Sequence, residues 1–155
     1  MSRARIVLHL VALLAPFLAA GAFCALLFRS ETISAWRQAG VLGGIGALAA
    51  QIAAAVCWRP LDRRARAGSG AWKIGLAMAA LTHLLFGVLL MGAFAASIRL
   101  LDAGDPGGAK DLLLQAAFFA LASLTTVGAL TLPLSAWLAQ VLAAMRRTEL
   151  ADDAR

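Results

Sequence analysis

Four long runs of apolar residues, each closed by basic residues or a turn-forming cluster, dominate this chain. The first, about residues 6–28, follows the basic opening Ser2-Arg3-Ala4-Arg5 and is long enough to cross a hydrocarbon core of roughly 30 Å. The second covers about 39–58 and stops at Arg59-Pro60, where proline is expected to end the helix. The third, about 72–98, opens at Trp72-Lys73 and closes at Arg99, long enough to span with some tilt. The fourth, about 112–145, is too long for one straight crossing, since a single helix of that length would measure about 50 Å. Pro133 removes one backbone donor and crowds the carbonyl of Ala129, while Gly128 and the pair Thr125-Thr126 loosen the preceding turn. A long fourth helix, kinked near Pro133, is therefore expected.

The predicted class is all-α, an integral-membrane four-helix transmembrane bundle forming one domain over residues 1–155. A basic loop at about 59–73 and a short charged tail at about 146–155 complete it. The small residues Ala20-Gly21-Ala22 would suit signal cleavage, but the apolar run continues past them to Phe28, so an uncleaved first span is expected.

Composition supports lipid as the outer solvent. The chain is 62% hydrophobic and 14% charged, with a mean hydropathy of +0.84, whereas a soluble domain needs a polar exterior. The net charge of +6 carries no nucleic-acid signature, because its arginines flank apolar runs instead of forming a basic folded face. Those flanks set a direction. Arg3, Arg5, Arg59, Arg63, Arg64, Arg66, Lys73, Arg146, Arg147 and Arg155 put ten cations on one side, and Arg29, Arg37, Arg99 and Lys110 put four on the other. The richer side is read as cytoplasmic, which gives both termini inside a bacterial inner (plasma) membrane. Arg59, Arg63, Arg64 and Arg66 would then meet anionic lipid.

Helices in lipid associate by close backbone packing and interhelical hydrogen bonds, so rows of small residues are informative. Gly40 and Gly44 form one row in the second span, and Ala39, Gly43 and Ala47 another. In the third span Gly75, Ala79, His83, Gly87, Met91 and Ala95 recur every four residues, which places His83 in a mostly small-residue contact face.

Aspartate, glutamate, lysine and arginine are absent between the span ends, although proton-coupled transporters and intramembrane proteases keep ionisable groups at depth. His9 and His83 are the candidate haem b ligands, two imidazoles on helices that run in the same direction. Their distances from the basic flanks imply a depth offset near 9 Å, against which an interhelical hydrogen bond is the simpler role for His83. Cys24 and Cys57 fall near opposite faces and are not expected to pair. Asp102, Asp105 and Asp111 lack the spacing of a calcium loop; Asp105-Pro106-Gly107-Gly108 reads as a turn and Asp111 as a cap for the fourth helix.

Two short likenesses belong with these residues. Thr125-Thr126-Val127-Gly128 resembles the start of a potassium-channel selectivity filter, but Ala129 and Leu130 stand where that family has an aromatic residue and a second glycine. Asp62-Arg63-Arg64-Ala65-Arg66 is similar to the beginning of the CDP-alcohol phosphotransferase motif, the remainder of which is missing. The functional expectation is a non-catalytic accessory or assembly subunit of a membrane complex, with a membrane-protein partner or a homo-oligomer. Alternatives are a small transporter, channel or holin-like permeability protein, drawing on Thr125, Thr126, Gly128 and Pro133, and a haem-binding redox subunit.

Overall fold

Apolar runs of this length satisfy their backbone groups internally as helices, and every apolar run does so. The computed structural model describes residues 2–27 and 33–154. It contains α1 (Arg3–Leu27), α2 (Ile33–Arg66), α3 (Trp72–Leu100), α4 (Ala109–Thr126) and α5 (Gly128–Asp153), with no strand among the described residues. Four of them, α1, α2, α3 and α5, are long and apolar enough to cross a membrane.

α2 continues past Pro60, where the sequence predicts its end, and stops only at Arg66. Proline leaves the Val56 carbonyl without its helical partner, but Cys57, Leu61 and Ala65, one turn apart, are all buried. That packing outweighs the lost bond. The expected loop at 59–73 thus shrinks to the turn between Arg66 and Trp72. The Gly68 N–H donates to the Ala65 carbonyl and the Ser69 N–H to the Arg64 carbonyl, with Gly68 at φ +66°, so glycine supplies the left-handed residue that stops the helix.

The fourth run is two helices rather than one. The interruption falls at Val127, while Pro133 lies inside α5. Thr125 Oγ1 donates to the Leu121 and Ala122 carbonyls and Thr126 Oγ1 to those of Ala122 and Ser123, so the last turn of α4 shares its acceptors between backbone and side chains, while the Val127 N–H still bonds to the Ser123 carbonyl. Asp111 sits in the first turn of α4, where its charge suits the helix dipole, but Gly108 is the cap residue and no side chain caps it. Asp105 instead accepts the Gly107 N–H in a local turn.

α1 packs on α2, α2 on α3, and α3 against both α4 and α5. Following α3 from Gly87 through His83 and Gly75 to Ala71, its partners run from Ala116 and Ala120 through Ser123 and Thr131 to Ser135 and Gln140. α4 and α5 therefore form one antiparallel return beside α3. Only α5 also reaches α1 and α2; among the described residues α4 touches neither. The core follows from this. Its buried residues, among them Ala4, Leu8, Ala54, Leu61, Met78, Ala139 and Leu142, cluster at the end of the molecule where α1 begins and α5 finishes. Contacts at the far end are between neighbouring helices only.

Candidate functional site

Two groups of polar side chains join helices that are distant in sequence. The first lies midway along α3. His83, buried, pairs through Nδ1 with Ser123 Oγ of α4 at 2.7 Å and through Nε2 with Thr131 Oγ1 of α5 at 2.8 Å. One imidazole thus spans the interruption at Val127 and holds both halves of the return to α3. A neutral ring donates from one nitrogen and accepts at the other, and a hydroxyl serves either role, so both contacts are satisfied without charge.

Close approach makes this seam possible. A Cβ on Gly75 would overlap the Ser135 carbonyl oxygen, and one on Gly87 would overlap that of Ala116. Gly75, Ala79, His83, Gly87 and Met91 are buried. On α2, Gly43 accommodates the Phe17 ring of α1, and Gly46 receives Pro16. A Cβ added to Gly40 or Gly44 would meet nothing within 4 Å among the described residues. The small residues of α2 therefore divide into a set occupied by α1 and a set left open.

His9 is placed elsewhere. Gln51 of α2 donates from Nε2 to the His9 carbonyl at 2.7 Å, and the His9 ring Nδ1 donates to Gln51 Oε1 at 2.7 Å. α1 and α3 share no contact among the described residues, so His9 and His83 are not brought together. Cys24 and Cys57 are free and buried.

The second group lies at the end where the core is. Asp62 of α2 accepts Arg66 Nε at 2.9 Å through Oδ2 and Arg146 Nε of α5 at 2.8 Å through Oδ1. Arg146 Nη1 also meets Glu149 Oε2 at 3.0 Å, and Glu149 Oε1 accepts the Ala4 N–H of α1 at 2.9 Å. Three helices are clasped by four side chains and one backbone amide. Just inside it, Gln140 Oε1 accepts the Ala71 N–H at 2.8 Å and fixes the turn between α2 and α3 to α5. The charged segment 146–153, expected as a tail, is the last part of α5 and forms this clasp. Its charge pattern alone gave no partner, because Glu149 and Ala4 lie 145 residues apart.

Arg5 lies over the Trp58 ring at 5.9 Å and Lys73 over Trp72 at 5.5 Å. Arg59, Arg63, Arg64 and Arg66 are exposed along or beside the end of α2. Comparison with known protein families, with curated proteins and with solved structures gives no match to this chain.

Proposed function

We propose that this chain crosses an inner membrane of bacterial type four times, both termini cytoplasmic, and serves as a non-catalytic accessory or assembly subunit of a membrane complex. The return formed by α4 and α5 counts as the fourth crossing, bent at its interruption. The observation that carries the reading is where the polar groups at depth are spent. His9, Gln51, Thr82, His83, Ser123, Thr125, Thr126, Thr131 and Gln140 all bond within the chain, whereas the side chains of Gln115, exposed on α4, and Ser135 of α5 make no bond among the described residues. What remains for neighbours is mainly lateral apolar surface, including Leu113, Leu114, Phe118 and Leu121 of α4, which packs on little besides α3 and adds Gln115 as one exposed polar group. In lipid such a surface supports association through close packing.

The aromatic residues support the placement in the bilayer. Trp36 and Trp58 lie about 33 Å apart along α2, close to the hydrocarbon thickness, and tryptophan favours the two interfaces. Beyond Trp58 come the arginines that face anionic lipid, Arg59, Arg63, Arg64 and Arg66. Affinity purification in mild detergent, followed by native mass spectrometry, tests the assignment. A reproducible membrane partner or a discrete homo-oligomer is expected; a solitary monomer without partners would count against it.

One observation favours a second reading, a permeability protein. The helix interruption lies at depth with Thr125 and Thr126 exposed beside it, and irregular backbone is tolerated in a membrane where it lines a water-filled space. Ion or solute flux in proteoliposomes distinguishes the two. The accessory reading expects no flux above empty vesicles, whereas flux that falls in Thr125→Val, Thr126→Val and Pro133→Ala variants would establish the second.

A further inference from the structure

Beside the clasp of Asp62, Arg146 and Glu149 lies an open cleft of about 560 Å³ between α1, α2 and α5. One wall is the start of α1, with Ser2, Arg3 and Arg5; the other is the end of α2, with Trp58 and Arg66. We propose that this cleft seats the phosphodiester headgroup of an anionic membrane lipid, with Arg3 and Arg5 as its principal contacts and Arg66 on the opposite wall. The inference rests on the membrane reading above and gives its basic end a defined binding place.

Charge accounting within the cleft supports an anion. Both oxygens of Asp62 and both of Glu149 are already taken, by Arg66, Arg146 and the Ala4 amide. These two carboxylates and two guanidinium groups neutralise one another. Arg3 and Arg5 form no ion pair among the described residues, and only Asp153 at the rim opposes them. They also stand at the positive end of the α1 dipole, in a first turn that contains no acidic residue. The Ala4 N–H there is already held by Glu149 and the Arg5 N–H by Ser2 Oγ, so a bound anion would be drawn by the two neighbouring guanidinium groups, whose mutual repulsion it relieves.

The level of the cleft favours a lipid as the source of that anion. Trp58 forms part of its wall with Arg5 across the ring face, while Trp72 and Trp137 are exposed near the same end of the bundle. Tryptophan belts mark the headgroup level, and basic pockets between membrane helices on the cytoplasmic side bind phosphorylated headgroups. The apolar faces of α1 and α2 run on from the cleft, where acyl chains attached to a seated headgroup would lie.

Native mass spectrometry of the full chain in mild detergent, titrated with phosphatidylglycerol or phosphatidylcholine, tests the proposal. Phosphatidylglycerol is expected to bind about tenfold more tightly, and Arg3→Gln/Arg5→Gln to lower its affinity to about that of phosphatidylcholine. Arg99→Gln/Lys110→Gln removes the same charge from the opposite end and is expected to leave binding within about twofold. Should the first double variant fail to fold, Arg3→Gln alone, at an exposed side chain with no ion pair among the described residues, is expected to weaken binding about threefold. Equal binding of the two lipids, or equal losses in both double variants, would overturn the proposal. Displacement of the lipid by millimolar inorganic phosphate would assign the cleft to a soluble anion instead. Carbonate extraction separates this from the membrane reading: release of the chain from the membrane pellet would overturn that reading, whatever the cleft binds.

Discussion

A single added carbon distinguishes the glycines of this molecule. At Gly87 it would meet the Ala116 carbonyl and the backbone of Ala120, whereas at Gly44 it would meet nothing within 4 Å. Gly87→Ala is expected to destabilise the bundle by about 1–3 kcal/mol, the usual cost of forcing packed elements apart. Gly44→Ala should stay within about 0.5 kcal/mol. Reversible unfolding in mixed micelles measures both. At His83 the loss of two interhelical hydrogen bonds, each worth about 0.6 kcal/mol in membranes, adds to the space left by the ring. His83→Ala should therefore cost about 2 kcal/mol or more, and Ser123→Ala about 0.6 kcal/mol. Equal effects of the two substitutions would show that the imidazole does not bridge α4 and α5.

At the scale of elements, helix existence was legible from apolar length alone, and helix ends were not. Pro60 reads as a terminator by local rules, yet α2 continues for another six residues because Leu61 and Ala65 are buried against other helices. Local signals say what ending a helix costs; they do not say what continuing it gains. Leu61→Ala should consequently destabilise by about 2–5 kcal/mol, and fray the last turns of α2 in hydrogen exchange. Pro60→Ala should leave the helix in place and slow exchange there. The fourth run shows the reverse error of location. Proline points to residue 133, but α4 ends at Thr126, upstream of it, beside two threonines whose hydroxyls bond back to carbonyls of the preceding turn. The hydrogen-bond partners of His83, Gln51 and Gln140 lie 40 to 69 residues away, beyond the reach of any periodicity.

At the scale of the molecule, stability is unevenly placed. The end that carries the clasp has the buried core and joins α1, α2, α3 and α5, whereas α4 leans on α3 with limited help from α5. Asp62→Ala leaves Arg146 with Glu149 alone, and in a double-mutant cycle Asp62 and Arg146 should couple by about 1–3 kcal/mol. Proteolysis in detergent is expected to cut the α3–α4 connection before the α2–α3 turn, which Gln140 secures. The bond from Ala4 to Glu149 also has a consequence in time. A ribosome adding about 5–20 residues per second needs about 7–30 s to travel between them. Throughout that interval the first turn of α1 lacks its partner, so a helix made early is secured only when α5 has been made.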